Sequence, residues 1–119
     1  MEIKVHHTGS SRIAEVISDN LIIQSIEDGA DLVGNLYYQD FGKVILYEKK
    51  ICPDFFDLKT GIAGEILQKF SNYRIQLVIV GDFEKYKSRS LKDFIFESNK
   101  GKWINFVNNI TEALEKFIS

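Results

Sequence analysis

Two unbroken apolar runs constrain this chain more than any other feature. Val44-Ile45-Leu46-Tyr47 lies within Lys43–Glu48, and Leu77-Val78-Ile79-Val80 within Gln76–Val80. A strand with one face in water alternates apolar with polar residues; a run without alternation suggests a strand covered on both faces. Between the two runs, Ile62, Ala63, Ile66, Leu67 and Phe70 recur on one face of a helix, which Ser71-Asn72-Tyr73 ends. Strand, helix and strand in that order imply parallel pairing through a right-handed crossover. The carboxyl ends of the two strands then lie side by side. Residues near 54–60 and 82–89, far apart in the chain, are predicted to meet at one rim, where open α/β sheets place their sites.

The flanking segments complete a mixed sheet. Glu2–His7 alternates, Thr8-Gly9-Ser10-Ser11 reads as a turn, and Arg12–Ser18 as a second strand, so an antiparallel hairpin is expected. Leu21-Ile22-Ile23 is expected to be buried as the chain leaves that strand. Ser25 with Asp28 forms a capping-box variant ahead of a helix whose apolar residues are Ile26, Ala30, Val33, Leu36 and Tyr37, ending near Gln39. Ser90 with Asp93 repeats the pattern ahead of Leu91, Phe94 and Ile95, and Asn99-Lys100-Gly101 closes that helix. Trp103–Val107 reads as a fifth strand. Asn109 with Glu112 caps a last helix carrying Ala113, Leu114, Phe117 and Ile118. The order is β-β-α-β-α-β-α-β-α: one α/β domain over residues 1–119, with a mixed five-stranded sheet (an N-terminal β-hairpin, then βαβαβα) and four helices. If the strands are added in sequence order, the crossover helices share one face. The other face then carries apolar residues that meet another chain or are covered locally, from which a homodimer or a partner is expected.

Composition excludes several classes. The formal net charge of −2 provides no bulk field for nucleic acid or an anionic membrane surface. The lone Cys52 permits no internal disulfide. With no signal-peptide core in MEIKVHH, a reduced, cytoplasmic setting is expected. No uninterrupted apolar run approaches the roughly 20 residues of a membrane helix. His6 and His7 are adjacent, so in a strand they point to opposite faces and suit one metal ion poorly.

The stretch Ile51–Phe70, ICPDFFDLKTGIAGEILQKF, carries the richest polar chemistry. Thr60 stands where a hydroxyl can cap the following helix. A phosphate there would meet free backbone N–H groups and the positive end of the helix dipole. Lys59 and Arg89 would supply cationic contacts, and Gly61 and Gly64 allow close approach. The carboxylates Glu48, Asp54, Asp57 and Asp82, with Glu84, Ser88 and Arg89, are expected along the same rim. An acid–base pair or a magnesium site would need such groups, but no spaced metal or nucleotide motif is present, so neither metal nor cofactor is assigned. Cys52 reads as a buried thiol without a nearby base, and Pro53 fixes the exit of its strand. Phe55, Phe56, Phe94, Phe96 and Trp103 read as core or interface, since basic residues do not cluster beside them.

Two resemblances bear on these residues. The order of elements, with Phe55-Phe56-Asp57-Leu58-Lys59-Thr60-Gly61 before an apolar helix, resembles the STAS domain of anti-sigma factor antagonists. That family has an Asp-Ser-Ser/Thr-Gly-type turn whose hydroxyl residue is phosphorylated by a partner kinase that is also the anti-sigma factor. The resemblance implies a STAS-like β-α superhelix, with Thr60 at the hydroxyl position, Gly61 at the glycine and Asp57 at the acid. Asp57 stands one residue further from Thr60 than in that pattern. The segments PDFFDLKTGIAGEILQKFSNYR and SRSLKDFIFESNKG also resemble a family of small bacterial single-domain proteins with a domain of unknown function. This second resemblance covers nearly the whole chain and implies a bacterial origin.

The resulting expectation is a non-catalytic, regulatory protein–protein interaction module. Its partner, a kinase or anti-sigma-like regulator, docks on the Asp54–Gly64 turn under control of Thr60. The alternative is a small enzyme or small-molecule-binding protein using Glu48, Asp54, Asp57, Asp82 and Arg89.

Overall fold

In the computed structural model, which describes residues 1–118, strands β1 (Glu2–Thr8) and β2 (Ser11–Ile17) form the expected antiparallel hairpin. Gly9 enters the two-residue turn at φ 58°, a conformation L side chains rarely adopt. Strands β3 (Lys43–Tyr47), β4 (Gln76–Val80) and β5 (Ile104–Val107) follow in the order β1-β2-β3-β4-β5. All pairings after the hairpin are parallel. Helices α1 (Ile26–Tyr38), α2 (Ile62–Asn72) and α3 (Arg89–Ser98) make the three crossovers, and α4 (Ile110–Ile118) closes the fold. The pairing that matters most is β3 with β4, Val44 opposite Leu77 through Tyr47 opposite Val80.

The two continuous runs are covered on both faces. Val44, Leu46, Leu77 and Ile79 join Ala14, Val16 and Phe106 beneath the crossover helices. Ile45, Val78 and Val80 join Ile13 and Val107 on the opposite face, under Ala113 and Phe117 of α4. The apolar face from which a homodimer was expected is therefore closed within the chain by its own last helix.

Several local expectations shift. The buried face of α1 is Gly29, Leu32, Val33 and Leu36, while Ile26 and Tyr37 are exposed. Gly29 sets the offset: a Cβ there would lie 2.6 Å from Ile66 of α2, so the helices meet where α1 has no side chain. Helix α3 is capped by Ser88, whose hydroxyl accepts the Leu91 N–H; the Ser90–Asp93 box lies inside the helix. Trp103 precedes β5 and is exposed, as is Phe96, whereas Phe55 and Phe56 are buried. Leu21 is exposed while Ile23 is buried. The Ser25–Asp28 box forms, with Asp28 N–H on Ser25 Oγ and Gln24 N–H on Asp28 Oδ2. Asn109 Oδ1 accepts the Glu112 N–H at the start of α4. The Cys52–Pro53 peptide is trans.

Candidate functional site

After β3 the chain makes three short 3-10 turns, Glu48–Lys50, Pro53–Phe56 and Leu58–Thr60, before α2. Phe56 is buried within this stretch. Its ring stacks on Tyr86 at 5.2 Å between centroids and lies 6.0 Å from Phe83. These contacts join the turn after β3 to the loop after β4, so the two segments that parallel pairing brings to one end are packed together.

Glu48 is the centre of the junction, and it lies beneath the rim rather than on it. Only 5% of the residue is exposed. Its Oε2 accepts from the Tyr86 hydroxyl at 2.6 Å and pairs with Lys85 Nζ at 2.7 Å. Its Oε1 is buried without a hydrogen-bond partner. The side chain lies across Gly81, where a Cβ would come within 2.4 Å of Glu48 Cβ and 2.9 Å of Oε1. Glycine at 81 is thus what allows a carboxylate to lie between the ends of β3 and β4. Burial, together with the Glu48 carboxylate, pushes the Tyr86 phenol well above its ordinary range.

Thr60 is held by its own loop. Its hydroxyl donates toward the carbonyls of Asp54 and Asp57, at 2.8 and 2.9 Å, and accepts the Ile62 N–H at 3.2 Å. The N-cap position of α2 is Gly61, at φ 79°, so Thr60 caps from one residue earlier than the sequence pattern suggests. The residue is exposed. Asp57 caps the short turn ahead of it by accepting the Lys59 N–H.

The remaining rim residues are near the surface. Asp54, Asp57, Lys59, Gly61, Asp82, Ser88 and Arg89 are all exposed. Asp82 accepts the Glu84 N–H, Ser88 caps α3, and Arg89 pairs with Asp93 of its own helix at 3.4 Å. No group of three or more His, Cys, Asp or Glu among the described residues is placed to hold a metal ion. A groove of about 560 Å³ opens beside the rim, against Phe83, Glu84, Lys92, Phe96 and Phe106. Cys52 is buried in the main core.

A second buried carboxylate lies across the sheet. Glu15 of β2 is 7% exposed; its Oε2 accepts from Tyr47 Oη at 2.5 Å, and its Oε1 from His6 Nε2 at 2.7 Å. Burial alone would raise its pKa, but the hydrogen bonds from Tyr47 and His6 outweigh it and hold the carboxyl below its ordinary value. Because the acceptor is a carboxylate, Nε2 of His6 carries the proton. Sequence reading missed Lys85, Tyr86 and this triad. Tyr86 and Lys85 sit in a loop without periodicity, and their partner is 38 residues away for Tyr86.

Together these features define a mixed α/β domain with an antiparallel hairpin at one edge and a charged, partly buried junction at the carboxyl ends of β3 and β4. The chain belongs to the family described as domain of unknown function DUF4180, whose model matches residues 8–117. No curated protein and no solved structure matches it. None of its helices among the described residues is long and apolar enough to cross a membrane.

Proposed function

We propose that this chain is a non-catalytic interaction module that docks a protein partner on the rim formed by the Asp54–Gly64 turn and the loop after β4, with Thr60 as the point of control. The observation that carries this reading is the position of the Thr60 hydroxyl. It is exposed, yet it ties the carbonyls of Asp54 and Asp57 to the first turn of α2. A phosphate on that oxygen removes the donated proton, so both carbonyls lose the side-chain bond and keep only their backbone partners, the Asp57 and Thr60 N–H groups, while the new charge turns toward the unpaired N–H groups of α2. Modification would therefore reshape the docking surface as well as charge it. This agrees with the role that the STAS resemblance implies for Thr60, and a kinase or anti-sigma-like regulator fits such a switch.

The test combines intact-mass measurement of the protein from cells with partner capture by Thr60→Ala, Thr60→Asp and wild-type chains. The expected result is a phosphorylated fraction lost in Thr60→Ala, and different partner profiles for the Asp variant and the wild type. Identical profiles for all three would remove the switch.

A second reading, a small-molecule-binding protein, is favoured by one observation: the unpartnered, buried Oε1 of Glu48. A hydrogen-bond donor on a ligand would complete that carboxylate. Thermal-shift screening of cationic and hydroxylated small molecules, with Glu48→Gln as control, tests it; a shift that survives the substitution would sink it.

A further inference from the structure

The two edges of the sheet are treated differently. The outward backbone of β5 is closed by side chains of the preceding helix and its cap. Ser98 Oγ donates to the Ile104 carbonyl at 2.6 Å, Asn99 Nδ2 donates to the Phe106 carbonyl at 3.1 Å, and Asn99 Oδ1 accepts the Phe106 N–H at 2.8 Å. Such cover prevents another strand from adding to an edge. β1, seven residues long, is the other edge. Its two-residue turn makes Thr8 and Ser11 a hydrogen-bonded pair. Alternation along the ladder then turns the backbone of Glu2, Lys4 and His6 toward β2 and that of Ile3, Val5 and His7 outward. No hydrogen bond to those outward groups occurs from elsewhere among the described residues.

We propose that β1 pairs antiparallel with β1 of a second copy of this chain, about a two-fold axis at Ile3, to form one continuous sheet. A two-fold axis pairs residues whose numbers have a constant sum, and their side chains share a face only if that sum is even. An axis at Val5 would set Lys4 against His6 twice. An axis at Lys4 would set two lysines against each other. An axis at Ile3 sets Glu2 opposite the second copy's Lys4, and Lys4 opposite its Glu2, with no like charges paired.

The same register joins the apolar side chains on the other face. Ile3 meets Ile3, and Met1 meets Val5 on each side of the axis; Met1 is 64% exposed and Val5 39% exposed in the single chain. The hydrogen-bonding pattern agrees, because Ile3 and Val5 are the residues whose backbone groups face outward. Lys4 already stands opposite Glu15 across the hairpin, so in the dimer it lies between two carboxylates. This surface is distinct from the face covered by α4 and from the Thr60 rim.

Sedimentation equilibrium over a concentration series up to about 1 mM tests the pairing. A monomer–dimer equilibrium is expected for the wild type. Glu2→Lys and Lys4→Glu should each weaken it at least about tenfold, the scale of two like-charge pairs replacing two complementary ones. The double variant E2K/K4E restores both intermolecular pairs and should bind more tightly than either single variant, short of the wild type because Lys4 also faces Glu15. An equimolar mixture of the two single variants should form heterodimers, because one strand then carries two lysines and the other two glutamates. Circular dichroism of each variant confirms that the fold is retained, which is expected at these exposed positions. A wild-type monomer throughout the series, or a dimer indifferent to both single charge reversals, would overturn the proposal.

Discussion

Glu15 and Glu48 are chemically alike and electrostatically unlike. Each is a buried glutamate that accepts a tyrosine hydroxyl, and each also meets a basic side chain at 2.7 Å. Glu15 divides these partners between its two oxygens, Tyr47 on one and His6 on the other. Glu48 receives both on Oε2 and leaves Oε1 buried without a partner. A carboxylate with both oxygens bonded has recovered much of what burial removed; one with a bare oxygen has not. The first is a closed clamp across β1, β2 and β3. The second holds the loop after β4 to the end of β3 and keeps an acceptor in reserve. The difference separates a carboxylate closed on both oxygens within the fold from one that leaves a buried acceptor unfilled at the carboxyl ends of β3 and β4.

The largest effect should come from removing the carboxylate of Glu15, with Glu48 as its comparison. Glu15→Ala leaves the Tyr47 hydroxyl and the His6 ring without their acceptor, at an expected loss of about 3 kcal/mol. Glu48→Ala frees Lys85, whose side chain is 49% exposed and returns to water, and it also removes an unsatisfied buried oxygen. Its loss should be smaller, about 1 kcal/mol. Urea unfolding midpoints measure both. Equal losses would show that the bare oxygen carries no penalty and would dissolve the contrast.

Gly81 sharpens it further. Gly81→Ala places a methyl group 2.4 Å from Glu48 Cβ, a loss of about 2 kcal/mol through overpacking. The nearest atom is the Cβ, which cannot rotate away as the carboxylate at 2.9 Å can, so most of the loss should persist in a Glu48→Ala background and fall only in Glu48→Gly. A double-mutant cycle in the same unfolding assay reads this directly. Relief already in Glu48→Ala would mean that the carboxylate, rather than the backbone approach, requires glycine at 81.

Most of the architecture was legible in the sequence. The unbroken runs at 44–47 and 77–80 reported strands covered twice, and parallel pairing followed from the helix between them. The covering of the second face by α4 was also written there, in Ala113 and Phe117, but periodicity shows which face of a helix is apolar and not which sheet face receives it. The offset of α1 escaped because the decisive residue, Gly29, has no side chain to register in an apolar pattern; it matters only through Ile66 of another helix. At the rim, Asp57, Asp82 and Ser88 stand at loop and helix starts as their types suggest, and each satisfies a local N–H. Glu48 was placed at the correct end but at the wrong depth, since its burial depends on a glycine 33 positions later. Lys85 and Tyr86 gave no signal because long-range pairing of polar side chains has no period.

The smallest predicted effect distinguishes the clusters by pH. Glu15 has a folded pKa below its ordinary value of 4.5, so it stabilises the fold above about that pH and loses the contribution as pH falls through the folded value. Glu15→Gln should flatten the acid limb of the stability curve. Tyr47 and Tyr86 shift the other way: burial and their carboxylate partners raise both above the ordinary 10.0. Their contribution is complete below about pH 10 and disappears as pH rises through the folded values, so Tyr47→Phe and Tyr86→Phe should each flatten the alkaline limb. Each Phe variant should change stability at neutral pH by about 1 kcal/mol. The Tyr47 loss should be the greater, because it leaves Oε2 of Glu15 without a partner, whereas Oε2 of Glu48 without Tyr86 still holds Lys85. Phenolate absorbance during alkaline titration, followed alongside unfolding, checks the assignment: in each Phe variant the late-ionising signal should fall by one tyrosine. A late signal unchanged by both substitutions would detach the tyrosines from the carboxylates, and with them the parallel between the two clusters.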